Sequence, residues 1–166
     1  MADSITALAK SLGDALQDKG LYISCAESCT GGGIASAITD IAGSSAWFEY
    51  GFVTYANEAK TTLLGVPEGL LQAHGAVSEE VVEAMAEGAL RKAGADIALA
   101  SSGIAGPGGG TPTKPVGTVW LAWAWLEDGQ IKCRSECCLF EGDRQAVRIK
   151  AVERALLLAS ELPLLG

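Results

Sequence analysis

An apolar run at residues 21–25 meets the segment Glu27-Ser28-Cys29-Thr30-Gly31-Gly32-Gly33, and beyond it Ile34, Ala37, Ile38 and Ile41 fall at helical spacing. Strand, glycine loop, helix is the unit from which parallel sheets are wound, so this stretch constrains the fold more than any other. The pattern returns. Aromatic and β-branched residues fill 47–55 as a second strand; Asn57 then offers an N-cap for a helix over 58–64 that Gly65 ends. Ser78 caps a further helix carrying Val82, Met85, Ala86 and Leu90 on one side, and residues 96–101 form a third strand before a long glycine-rich loop. Upstream, Ile5, Leu8, Leu12 and Leu16 mark a first amphipathic helix that Lys19-Gly20 closes, and the stretch Met1-Ala2-Asp3-Ser4 has no basic leader region.

The late part of the chain departs from this alternation. Residues 117–126 and 131–140 read as two strands joined by Glu127-Asp128-Gly129-Gln130, a hairpin whose Asp-Gly pair supplies the turn. Asp143 opens a last helix, apolar at Ala146, Val147, Ile149, Ala151, Val152 and Leu156 and basic at Arg144, Arg148 and Arg154. The expected class is α/β: a three-layer α/β/α sandwich on a mixed, mainly parallel sheet of about five strands. At 166 residues and 49% hydrophobic, one domain spanning 1–166 is expected.

A net charge of −8 sets this chain against the phosphates of nucleic acid, and no apolar run approaches the roughly 18 residues of a bilayer span. Neither partner is expected. Five cysteines, an odd number, read as reduced thiols of a cytoplasmic protein, and Cys25-x3-Cys29 and Cys133-x3-Cys137 lack zinc-knuckle spacing. No metal and no cofactor is expected.

In open sheets ligands gather beyond the carboxyl ends of the parallel strands, which directs attention to the loops at 27–33, 55–60 and 102–110. The segment with Ser28, Thr30, Gly31 and Gly32 can hold a phosphate on free amides at a helix start, or can be a plain tight turn. Lys60 in a first helical turn has its cation disfavoured by the helix dipole, and a partly neutral lysine can act as base toward a serine, with Tyr55 relaying the proton; equally, Lys60 can be a solvated lysine and Tyr55 a strand residue. Gly43-Ser44-Ser45-Ala46 places two hydroxyls just before a strand, where a polar turn is the ordinary role. Ser102 and Gly103 end the third strand and can face an oxyanion, or belong to a mobile loop. Arg144 can clamp a phosphate oxygen or pair on the surface, and His74, beside Gly75, reads as a loop residue.

The ordered set of Ala26-Glu27-Ser28-Cys29-Thr30-Gly31-Gly32, the segment 40–48, Tyr55-Ala56-Asn57-Glu58-Ala59-Lys60, Ser102-Gly103-Ile104-Ala105-Gly106-Pro107 and Gly142-Asp143-Arg144 resembles the CinA C-terminal domain family over nearly the whole chain. The resemblance implies a stand-alone nicotinamide-nucleotide amidase, which converts nicotinamide mononucleotide and water to nicotinate mononucleotide and ammonia in pyridine-nucleotide salvage. It implies a serine nucleophile at Ser45 with Tyr55 and Lys60 beside it, and substrate contacts at Ser102 and Arg144. Ser28 and Ser44 stand next in line as nucleophiles. It also implies a homo-oligomer. The rival expectations are a nucleotide-binding module without turnover and a hydrolase of another small amide.

Overall fold

The computed structural model describes residues 2–166, so Met1 of the N-terminal stretch read above lies outside them. Among the described residues the chain runs α1 (Ala2–Lys19), β1 (Ile23–Glu27), α2 (Gly33–Thr39), a 3-10 turn (Ser44–Ala46), β2 (Phe48–Val53), α3 (Asn57–Leu64), α4 (Glu68–His74), α5 (Glu79–Ala93), β3 (Ile97–Gly103), β4 (Thr118–Glu127), β5 (Gln130–Leu139) and α6 (Arg144–Ala159), with a last 3-10 turn at Pro163–Leu165.

The strands form one sheet in the order β2-β1-β3-β4-β5. β1 lies between β2 and β3 and is parallel to both, while β3–β4 and β4–β5 are antiparallel. The sheet is therefore mixed as expected, but its pairings divide evenly and the longer ladders are the antiparallel ones. That weight comes from the hairpin, whose strands are ten residues each, and whose turn takes Asp128 and Gly129 through positive φ (53° and 76°).

Period-two alternation assigns the two faces. Ile97, Leu99, Leu121, Trp123 and Trp125 point to one side, against α1, α2 and α6. Ala98, Ala100, Ala122 and Ala124 point to the other, against α5. Trp123 is fully buried and its indole N–H donates to the Ala155 carbonyl of α6 at 2.9 Å, so truncating it to alanine would cost about 3–5 kcal/mol. The alanine face lets α5 lie close to the sheet. α5 is in turn approached by α3 where Gly88 meets the Leu64 carbonyl, and a Cβ at Gly88 would collide with that oxygen.

Local signals explain most boundaries. Ser78 accepts from the Val81 amide and Asp143 from the Ala146 amide, capping α5 and α6 as expected. Two readings change. Asn57 is the first residue of α3 and the N-cap is Ala56, still extended (φ −78°, ψ 153°) because the carbonyls of Thr54 and Tyr55 just before it are held by Lys60. His74 does not lie in a loop; it closes the two-turn helix α4, which the sequence pattern did not reveal because none of its residues is buried.

Candidate active site

β1 delivers Ser28 to the carboxyl end of the sheet, where its amide donates to the Ser101 carbonyl of β3 at 3.0 Å. The chain then turns through Cys29, Thr30, Gly31 and Gly32 into α2. Gly31 and Gly32 take φ of 56° and 100°, which L side chains rarely adopt, and this lets the turn be so tight.

A buried carboxylate holds that turn. Glu27 is fully buried; its Oε1 accepts from the Thr30 hydroxyl at 2.6 Å and the Ile34 amide at 2.8 Å, and its Oε2 from the Ala35 amide at 3.0 Å. Arg148 clamps the outer side, Nε to the Cys29 carbonyl at 3.1 Å and Nη2 to the Thr30 carbonyl at 3.2 Å. The anion seat expected at the start of α2 is thus filled from within by Glu27. The Gly31 and Gly33 amides are spent on the carbonyls of Ser28 and Thr30, and the Thr30 hydroxyl faces Glu27 and Ser101. The Thr30 hydroxyl and the Gly31 amide, expected to meet a phosphate, are thus engaged within the turn. Within the turn, the Cys29, Thr30 and Gly32 amides donate to no backbone carbonyl among the described residues.

Lys60 reaches Ser28 from α3. Its ammonium nitrogen lies 3.2 Å from Ser28 Oγ, 2.9 Å from the Thr54 carbonyl and 3.0 Å from the Tyr55 carbonyl, and the side chain is buried. Burial lowers its pKa from the ordinary lysine value. The direction is the one expected, with desolvation by burial as its largest cause. A neutral amine suits this geometry: its two hydrogens go to the two carbonyls and its lone pair faces the Ser28 hydroxyl. Burial also pushes the neighbouring Cys29 thiol up to about 11, keeping it protonated beside the serine.

A cleft of about 280 Å³ opens at this point, with Ser28, Cys29, Tyr55, Gly103, Gly106 and Arg144 among its walls. Tyr55 is exposed, and its hydroxyl accepts from Arg144 Nη2 at 3.2 Å, while Arg144 Nη1 donates to the Gly106 carbonyl at 2.7 Å. Tyr55 therefore meets Lys60 through its carbonyl and not its hydroxyl, so the proton relay expected of it is not formed. Ser102 is not in the cleft: its hydroxyl donates to the Ala76 carbonyl at 2.7 Å and ties down the segment before α5, while Gly103 next to it does line the cleft.

Ser45 is the largest departure. It sits exposed in the 3-10 turn before β2, at the amino end of the strand whose carboxyl end carries Tyr55, roughly 20 Å away along the strand. Within one chain it joins neither Lys60 nor Tyr55. Ser44 lies in the same turn. The sequence reading also passed over Glu27 and Arg148, which hold the turn that carries Ser28. A glutamate immediately before the serine at a strand end was the available signal for the first.

The CinA C-terminal domain model matches residues 5–162, and the chain belongs to that family. A protein of Enterobacter agglomerans named nicotinamide-nucleotide amidohydrolase PncC is 57% identical over 152 residues, covering 92% of this chain and 91% of its own. The protein of the same name in Escherichia coli K12 is 57% identical over 157 residues, 94% and 93% of the two chains. Among solved structures, a competence-damaged protein (CinA) superfamily member from Klebsiella pneumoniae superposes with a TM-score of 0.88 at 42% identity, covering 95% of this chain and 96% of that one. No helix among the described residues is long and apolar enough to cross a membrane.

Proposed function

We propose that this protein is a nicotinamide-nucleotide amidohydrolase, the name its 57% identical relatives carry, and that it hydrolyses the carboxamide of nicotinamide mononucleotide to nicotinate mononucleotide and ammonia. The observation that carries the mechanism is the 3.2 Å approach of a buried lysine to Ser28 at the mouth of the cleft. Ser28, rather than Ser45, is the nucleophile, and Lys60 is its base.

Neutral Lys60 takes the hydroxyl proton as Ser28 Oγ bonds to the carboxamide carbon. The oxyanion so formed faces the Cys29 and Thr30 amides, which follow the nucleophile on the turn and donate to no backbone carbonyl among the described residues. The proton on Lys60 passes to the departing nitrogen; the C–N bond breaks, ammonia leaves, and an ester remains on Ser28. Lys60, neutral again, takes a proton from water, the hydroxide adds to the ester, and the returning proton restores Ser28 as nicotinate mononucleotide departs. Arg144 at the rim is the cation placed to meet the 5′-phosphate, displacing its bonds to Tyr55 and Gly106.

The net charge of −8 supports a small nucleotide, not a nucleic acid, as the partner. Five free cysteines support a reducing, cytoplasmic setting, and two hydrophobic clusters on the faces of one sheet support reading residues 1–166 as a single amidohydrolase domain. Ammonia release from nicotinamide mononucleotide by the purified chain, beside a Ser28→Ala variant, tests the reading. No ammonia from the folded wild type would overturn it.

A further inference from the structure

Arg148 stands apart from the other arginines of α6. Arg144 lines the cleft, and Arg154 forms an ion pair with Glu136 at 2.8 Å, whereas no carboxylate lies within ion-pair reach of Arg148 among the described residues. Its guanidinium turns to backbone carbonyls instead, Nε to Cys29 and Nη2 to Thr30. Gly31 makes room for it, since a Cβ there would lie 3.0 Å from Nη2.

The peptide groups so engaged lead to the nucleophile. In a trans peptide the N–H points opposite to the C=O, and the cis bond among the described residues is elsewhere, at Gly106–Pro107. The Cys29 carbonyl shares its peptide group with the Thr30 amide, which therefore points away from Arg148. The Thr30 carbonyl shares its group with the Gly31 amide; that amide donates to the Ser28 carbonyl at 3.0 Å, and the Ser28 carbonyl shares its group with the Cys29 amide. Two chains of peptide dipoles thus start from one guanidinium. One ends on the Thr30 N–H and the other, a hydrogen bond longer, on the Cys29 N–H. A carbonyl that accepts a hydrogen bond draws charge from its own amide and makes that N–H a stronger donor.

We propose that Arg148 is a positioning residue of the reaction, one that holds and polarises, through the backbone, the Cys29 and Thr30 amides that receive the oxyanion; this rests on Ser28 as the nucleophile. Arg148 itself does not touch the substrate. The need for it follows from Glu27, a fully buried carboxylate one residue before Ser28, whose charge opposes the negative charge that develops on the substrate. Arg148 brings the opposite charge to the same turn. Both are felt there: burial does most to push the Cys29 thiol up, Glu27 adds to the rise and Arg148 works against it.

The guanidinium is also reachable from outside. A cavity of about 370 Å³ between α1, α2 and α6 is lined by Arg148 with Ser36, Ala37, Ile149 and Val152, and it shares no lining residue with the cleft. A small cation can therefore enter behind the turn without obstructing the substrate.

The test uses two reactions of the full chain. One is ammonia release from nicotinamide mononucleotide. The other is acetylation of Ser28 by p-nitrophenyl acetate, in which Oγ bonds to the acyl carbon, p-nitrophenolate leaves and the hydroxyl proton passes to Lys60; it is followed by intact mass against Ser28→Ala. Arg148→Gln, with its fold checked by circular dichroism, should lower kcat for ammonia release about tenfold to a hundredfold with KM within about threefold, and should slow acetylation by a similar factor. Arg148→Lys, which keeps the charge, should retain more of both rates than Arg148→Gln. Millimolar methylguanidinium should raise the rates of Arg148→Ala at least about fivefold and leave Ser28→Ala inert. Acetylation that depends on Arg148 in a wild type that releases no ammonia would sink the assigned substrate and support the role of Arg148. Arg148→Gln within about threefold of wild type in both reactions, Arg148→Lys no better than Arg148→Gln, a folded Arg148→Ala that methylguanidinium does not restore, or a wild type whose Ser28 does not acetylate would each overturn the proposal.

Discussion

Replacing Ser28 with alanine separates the nucleophile from everything around it. The hydroxyl is lost, Lys60 keeps its 2.9 and 3.0 Å contacts with the Thr54 and Tyr55 carbonyls, and the Ser28 amide keeps its bond to Ser101. One hydrogen bond disappears from a buried amine, worth about 1 kcal/mol. For a chain of this size that shifts the melting temperature by about 2–4 °C, so the variant folds. Catalysis suffers on another scale: removal of an activated serine nucleophile costs about four to six orders of magnitude in kcat. The assay is initial-rate ammonia release from nicotinamide mononucleotide by matched preparations of wild type, Ser28→Ala and Ser45→Ala, with melting curves taken on each. Ser45→Ala, at an exposed turn away from Lys60 in its own chain, should keep kcat within about tenfold. If Ser28→Ala stayed within tenfold of wild type, or if Ser45→Ala fell as far as Ser28→Ala is expected to, the assignment built on the Ser28–Lys60 contact would be wrong.

Because burial lowers the Lys60 pKa, the reactive neutral amine dominates above that lowered value, and kcat/KM should rise with pH through an ionisation below the ordinary lysine range and then level. A rate that falls over that limb would contradict a lysine base, and Lys60→Arg, charged at every accessible pH, should be inactive throughout. The same shift means that the folded chain binds fewer protons than the unfolded one in this window, so stability to urea should increase as pH rises from the lowered to the ordinary lysine value. Arg144→Ala should raise KM with little change in kcat, measured by the same ammonia assay; a kcat collapse at unchanged KM would place Arg144 on the reacting atoms instead of the phosphate. Glu27→Gln sets an amide NH2 against the Ile34 or Ala35 N–H in a fully buried site, which should cost about 2 kcal/mol and lower the melting temperature by about 4–8 °C; a variant as stable as wild type would show that the carboxylate does not hold the turn.

Periodicity carried most of the fold, because side-chain spacing reports directly which face is buried. The alternation of large residues and alanines along β3 and β4, the Asp-Gly hairpin turn and the caps at Ser78 and Asp143 are all local, and each was legible. α4 was not, since a two-turn helix with no buried residue leaves no apolar stripe to detect. The balance of parallel and antiparallel pairing was misjudged because it depends on ladder length.

The site was legible by residue type and less so by partnership. Lys60 stands out in the sequence as a candidate base; the serine beside it within one chain is Ser28 and not Ser45, and the order of elements already points that way. A hydroxyl that precedes a strand lies at the amino end of the sheet, whereas Lys60, following β2, lies at the carboxyl end with every residue that directly follows a parallel strand. Ser28 meets that condition and Ser45 does not. What no reading of spacing could supply is that Glu27 fills the seat at the start of α2. A free helix start and one occupied by a neighbouring carboxylate look alike in sequence, and only the direction of the Glu27 side chain, toward α2 and away from Lys60, separates a phosphate site from a scaffold for the nucleophile turn. In the proposed mechanism phosphate recognition then passes to Arg144, the cation on the cleft wall, so that one helix start positions Ser28 while another, that of α6, positions the guanidinium.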